Sequence, residues 1–276
     1  PLHHLGYKMA VSAVSDIYAM NGTPEALLVN LALPNKLSVD MVKEIYKGLD
    51  AAGNDYEFEI AGGDLTASHR ILSLSAAAYG SVDKEKLIYR AGAKPDEAIC
   101  VTGDLGGAIA GLRILMREKS HWKEHQQERF QPDLGDYEYV VRRQLVPRAR
   151  RDFIEMLAEQ NMTPSSMIDL TQGLVSDLHQ LAEASKTGAY IFQAAIPVAI
   201  ETRQVADEMQ EDVDKYALYG GEDFELLFTL PEKDVEELSD HFNDFVVIGK
   251  VTEHGDGVKM QSQDGEVISF EEEDNS

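Results

Sequence analysis

Six acidic residues stand beside glycine or at the ends of apolar runs: Asp16, Asp64, Asp104, Asp169, Glu222 and Asp223. At such places a backbone can approach a ligand closely. Separated carboxylates without a Cys/His cluster suit a hard cation such as Mg²⁺, which takes oxygen donors and bridges them to phosphates. The eight histidines show no metal-ligand spacing, and the adjacent His3 and His4 would point apart on a helix. Arg90, in Ile88-Tyr89-Arg90-Ala91-Gly92, could supply a cationic clamp, because a guanidinium grips phosphate with two parallel donors. Cys100 is the single cysteine and lies in an apolar run without a basic neighbour, so it reads as a buried, inert thiol.

Each of these signals also has a plainer explanation. Asp16 could be an exposed helix residue. Gly62-Gly63-Asp64 is ordinary turn chemistry, although its carboxylate could equally hold a metal against phosphate. Val101-Thr102-Gly103-Asp104-Leu105-Gly106-Gly107 could offer a helix N-terminus to an anion, but tight strand–helix packing explains the same glycines. Thr171 serves as an N-cap as readily as a ligand contact. The acids of Gly220-Gly221-Glu222-Asp223 would sit equally well in a solvated loop, and Arg90 on an open surface.

The surrounding pattern supplies elements to position these groups. Leu2, Leu5, Met9, Ala13, Ile17 and Met20 recur at steps of three or four, which predicts a helix over 2–20 ending at Asn21-Gly22. A strand follows over 26–33, then a helix capped by Ser38 and strands over 57–61 and 71–80. The polar Gly-rich stretch between those last two strands reads as a loop. Further strands are expected at 99–102, 167–170, 190–195, 224–230 and 245–251, with a closing hairpin over Gly265. Helices are expected from 108, over 137–145, from Pro147 to 160, over 174–184 and from Pro231. Strands and helices alternate without a repeat, so the class is α/β or α+β. A composition shift near Pro147 suggests two domains, 1–146 and 147–276.

The chain carries 25 Lys+Arg against 49 Asp+Glu, a formal charge of −24, which argues against nucleic acid or an anionic membrane as partner. Its 43% hydrophobic content nonetheless suits a folded protein. No stretch is apolar over the ~20 residues of a membrane span. The cytoplasm is the expected location.

In this order the blocks resemble the thiamine-monophosphate kinases, within the aminoimidazole ribonucleotide synthetase-like superfamily. The anchors are Ser15-Asp16-Ile17-Tyr18-Ala19-Met20, Gly62-Gly63-Asp64-Leu65-Thr66, Val101-Thr102-Gly103, Met167-Ile168-Asp169 and Gly220-Gly221-Glu222-Asp223-Phe224-Glu225-Leu226. The resemblance implies a PurM-like two-domain α/β fold, a homodimer whose N-terminal sheets build a barrel, and a cleft between domains. It also implies ATP-dependent phosphorylation of thiamine monophosphate with Mg²⁺. Asp16, Asp64 and Asp169 would hold the metal, Asp64 and Asp169 being catalytic. Tyr46, Gly63, Asp64, Arg90 and Thr171 would contact ATP. Glu222 would face the thiazolium of the substrate, and Phe270 would stack on a substrate ring.

The chain departs from the family at Gln172, where a second acid is usual, with Asp177 as a possible substitute. It also opens after the family's Gly-Asp-Asp and Thr-Thr-Asp blocks, which suggests a preceding segment. The competing expectations are another ATP-dependent enzyme of the superfamily, or a non-catalytic nucleotide-binding dimer. Selenophosphate synthetases and hydrogenase maturation dehydratases need a reactive cysteine where Cys100 does not lie.

Overall fold

A computed structural model describes residues 1–124, 132 and 134–270. The N-terminal part is a helix pair on a small sheet. Helix α1 (Leu2–Ala19) and helix α2 (Val39–Tyr56) lie against one face of strands β1 (Thr23–Pro34), β2 (Glu59–Ser68) and β3 (Ser73–Ser81). The sheet order is β2-β1-β3, with β1 parallel to β2 and antiparallel to β3. Alternation along β1 decides what is buried. Leu27, Val29 and Leu31 face the helices, while Leu28 and Asn30 face outward. Ser38 caps α2 by accepting from the Met41 amide at 3.3 Å.

The expected loop at 62–68 is instead part of β2. A Cβ on Gly63 would strike the Val29 carbonyl, so glycine is what lets β2 run this close to β1. The register shifts between Leu27 and Leu28 beside these glycines, as at a β-bulge.

The second part is built on seven strands in the order β10-β9-β6-β8-β4-β7-β5. They are β4 (Ala98–Thr102), β5 (Ser166–Asp169), β6 (Gly188–Phe192), β7 (Leu226–Leu230), β8 (Phe245–Thr252), β9 (Val258–Gln261) and β10 (Val267–Phe270). The central strands β4 and β7 are buried throughout, as expected for continuous apolar runs. Helices α3 (Gly107–Glu124), α4 (Glu138–Leu145), α5 (Arg151–Gln160), α6 (Leu174–Ser185), α7 (Ile200–Met209), α8 (Val213–Tyr219) and α9 (Glu232–His241) complete it. The sequence pattern did not predict α7 and α8, and α5 starts four residues after Pro147. Neither sheet is closed among the described residues, so one chain does not itself form a barrel.

Sheet membership changes between Ser81 and Ala98, well ahead of residue 147. The two parts are joined by packing as well as by chain. One apolar core takes in α1, α2 and β1 together with Phe153, Leu157, Phe228 and Leu238 from the second part. No described helix is long and apolar enough to cross a membrane.

Helices α1 and α2 touch through glycine. A Cβ on Gly6 would meet the Ile45 carbonyl, and one on Gly48 the His3 carbonyl. Alanine at position 6 should gain about 1 kcal/mol of helix propensity. The obstacle is backbone and cannot swing aside, so overpacking should outweigh that gain. G6A is expected to lose about 2 kcal/mol of stability in urea unfolding; unchanged stability would show that the helices are not in contact there.

Candidate active site

The site forms where α1 passes the end of β5. Asp169 is the last residue of β5, and its neighbour on the sheet is Leu226 of β7. On the other side of β5, the Met167 amide donates to the Tyr89 carbonyl at 3.0 Å, which lays the segment carrying Arg90 along that edge. From above, α1 offers Lys8 and Ser15, seven residues apart on one face, with Asp16 beside them at the exposed flank.

Asp169 is 2% exposed, and its Oδ2 has no hydrogen-bond partner. Burial pushes its carboxyl up to about 6; the Ser15 hydroxyl restrains the rise, and the negative charges of Asp16 and Asp177 add to it. The Ser15 hydroxyl is itself buried and unpartnered, so it faces the carboxylate outside good hydrogen-bond geometry. Asp16 lies at the rim, its carboxyl raised by partial burial and pulled back by Arg90. Arg90 donates from Nη1 to the Gln180 amide oxygen at 3.1 Å, a neutral partner that leaves its charge uncompensated by direct contact. Two carboxylates with a free oxygen, and a guanidinium beside them, suit a hard cation carrying phosphate.

Two loops flank the end of β5 and are zipped together. The Glu222 and Phe224 amides donate to the Thr171 and Leu170 carbonyls, both at 3.0 Å, and the Leu170 amide donates to the Glu225 carbonyl at 2.8 Å. The loop before β7 is strained: Glu222 and the buried Phe224 have φ of 58° and 55°, left-handed values rare outside glycine. Glu222 reaches back across the junction, its Oε2 accepting from Lys8 Nζ at 2.7 Å.

Each loop encloses an anion of its own. Asp177 of α6 accepts through Oδ2 from the amides of Thr171, Gln172 and Gly173 at 2.9, 3.0 and 3.2 Å. It therefore holds the turn rather than standing in for a missing metal ligand, and Gln172 is tied back by the Ser176 hydroxyl. Asp223 accepts from the Gly106 and Ala108 amides at 2.9 and 3.3 Å. The Gly-rich start of α3 thus binds an anion, but the anion is the chain's own carboxylate. Burial pushes Asp223 up to about 6 against the pull of Arg143. Beneath it, Glu225 is paired with Arg143 at 2.7 Å and Arg150 at 3.0 Å and accepts from the Thr102 hydroxyl at 2.7 Å.

Not every expected residue arrives. Asp64 and Gly63 lie on β2, and Asp64 pairs with Asn30 on the outward face, opposite the face that α1 covers. Among the described residues no group of three or more acidic, histidine or cysteine side chains could hold a metal, so Asp16 and Asp169 stand as a pair without Asp64. Tyr46 packs on the N-terminal core. Phe270 packs against the core of the seven-stranded sheet, on the edge strand opposite β5. Six strand spacings of about 4.8 Å put it roughly 29 Å away, too far to stack on a ligand at Asp169. Cys100 is buried, its thiol pushed up to about 12 by burial. The sequence reading gave no role to Lys8 or Ser15, although their separation of seven residues on one helix face was there to be counted.

A cleft of about 1120 Å³ opens elsewhere, lined by Tyr7, Tyr56, Tyr139, Arg143 and Arg150 among others. Its lining carries more carboxylates than arginines, and its two buried arginines are committed to Glu225. A polyphosphate finds no free cation at those two.

The same division into parts appears in comparison with known proteins. The family model for AIR synthase related protein, N-terminal domain, matches residues 1–82, and that for AIR synthase related protein, C-terminal domain, matches 94–261. Fold and site thus define an AIR synthase related protein with the PurM-like two-domain α/β architecture. Thiamine-monophosphate kinase from Aquifex aeolicus (strain VF5) is 34% identical over 255 residues, 92% of this chain and 76% of that protein. The enzyme of the same name from Pyrococcus abyssi (strain GE5 / Orsay) is 32% identical over 256 residues, 93% and 73% of the two. The solved structure of AaThiL complexed with AMPPCP and TMP matches with a TM-score of 0.80 at 28% identity, covering 98% of this chain and 79% of that one. The chain belongs to the thiamine-monophosphate kinase family.

The raised Asp169 carboxyl has a stability consequence with a definite sign. Between its ordinary value and about 6 the folded chain holds a proton that the unfolded chain has released. Stability therefore falls as pH rises through that window, and the loss is complete above it. With divalent cations chelated, D169N should be more stable than the parent by about 2–3 kcal/mol at pH 8, and by nothing at pH 4. A pH-independent difference in thermal unfolding would contradict the burial of this carboxylate.

Proposed function

We propose that this protein is an ATP-dependent kinase that converts thiamine monophosphate to thiamine diphosphate by direct phosphoryl transfer. An oxygen of the substrate's phosphate attacks the γ-phosphorus of ATP, the bond from that phosphorus to the β,γ-bridging oxygen breaks, and ADP leaves. The observation that carries this reading is the Asp16–Asp169 pair beside Arg90, within a chain of this family. Phosphoryl transfer asks for positioning and charge neutralisation more than for a nucleophilic side chain, and Asp16, Asp169 and Arg90 are groups of that kind.

The residues present fit Mg²⁺, since Asp169 Oδ2 is a buried oxygen without a partner and Asp16 opens toward it from the rim. Asp16 and Asp169 would hold the ion, which when bound neutralises phosphate oxygens that would otherwise repel these carboxylates. Arg90 takes phosphate oxygens from the other side. Thr171, at the turn braced by Asp177, contacts the nucleotide, and Glu222 faces the cationic thiazolium. We further propose a homodimer through the outward face of the small sheet, where Leu28 is 49% and Tyr79 64% exposed. A second copy would cover that face. A cytoplasmic setting, where ATP is available, goes with this reading.

The direct test is formation of thiamine diphosphate from ATP, thiamine monophosphate and Mg²⁺. D16N and D169N should each lower kcat by about a hundredfold or more, the scale of several kcal/mol of charge stabilisation. A protein that binds nucleotide yet yields no thiamine diphosphate would overturn the proposal.

A further inference from the structure

The Lys8–Glu222 ion pair spans the two parts of the chain, and the site as described gives Lys8 no other work. Its Nζ stands 2.7 Å from Glu222 Oε2; the lysine side chain is 16% exposed and the glutamate 53%. The pair is therefore closed on the Lys8 side and open on the Glu222 side. Water reaches the glutamate end and screens the pair there, which lowers the cost of parting it. The glutamate, in contrast, is held firmly: its backbone is left-handed at φ 58° and its amide is bonded to Thr171, two residues from Asp169. Lys8 lies eight residues before Asp16 on α1, about 12 Å along the axis. Opening the pair leaves one anion and one cation side by side where α1 meets the loop before β7.

A thiamine phosphate ester carries the complementary charges, a thiazolium at one end and a phosphate at the other. We propose that Lys8 is a substrate-binding residue and that its pair with Glu222 is a placeholder which the substrate exchanges into, Glu222 taking the thiazolium and Lys8 the ester phosphate. This inference rests on the kinase reading above and deepens it. The exchange gains an ion pair: one within the protein gives way to two with the ligand. It also explains selectivity, because thiamine without phosphate must displace Lys8 and offers it nothing in return.

Calorimetric titration with thiamine monophosphate and with thiamine tests the exchange on the full chain. K8M should bind thiamine monophosphate at least about tenfold more weakly, the loss of one charge-assisted contact. It should bind thiamine as well as the parent or better, because Glu222 has lost its competitor. K8R should restore affinity for the monophosphate, and E222Q should weaken both ligands. If K8M loses affinity for both ligands equally, Lys8 only anchors Glu222 and the exchange is wrong. The same holds if its affinity for the monophosphate is unchanged. Should K8M not fold, K8Q gives the same two readings. A parent protein that binds neither ligand would instead overturn the kinase reading itself.

Discussion

Asp169 is 2% exposed with one oxygen unpartnered, and a carboxylate in such a place is costly to keep ionised. It stays there because everything around it is held by something else. Strand β5 is bonded to β7 on one side and to Tyr89 on the other, and α1 closes over it while sharing a core with the second part. The negative charges of Asp16 and Asp177 make matters worse for Asp169 alone. A divalent cation would be attracted by the same negative charges that disfavour the ionised Asp169, and its attraction to the carboxylate would offset the cost of burial. The cost in the free protein and the affinity for a metal share one origin.

The two loops beside Asp169 show how the chain satisfies amides that would otherwise draw anions. Glycine-rich turns at 171–173 and 106–108 expose backbone donors that would capture phosphate. Asp177 and Asp223 occupy both, so neither turn is open to an anionic ligand. The Glu225–Arg143–Arg150 network beneath holds the loop before β7 in its left-handed turn, and Glu222 is aimed as a result. The buried ions serve geometry there.

Much of the fold was legible, and the gaps have physical causes. The step of three or four along Leu2 to Met20, the cap at Ser38 and the apolar runs of β4 and β7 each fix a local element, and each is present. Gly62-Gly63-Asp64 misled because turn chemistry and close strand pairing call for the same residue, and only the partner strand distinguishes them. Helices α7 and α8 are short, so periodicity has little to work on. Asp169 stands out as an acid at a strand end, whereas helix periodicity alone reads Asp16 as an exposed helix residue and only the family-like block around it suggests a ligand. That Asp64 points to the opposite face depends on the register of β2 with β1, which no local pattern encodes. Phe270 was placed by likeness of the C-terminus, and sheet order removes it. The duties of Asp177 and Asp223 follow from amides that become neighbours only once the chain is folded.

The central claim is that two carboxylates, one from α1 and one from the end of β5, converge on a divalent cation. Anomalous diffraction from crystals grown with Mn²⁺ and a non-hydrolysable ATP analogue tests it most directly. The peak should lie between Asp16 and Asp169 and vanish in D169N. A manganese peak elsewhere, with both carboxylates free of metal, would contradict it.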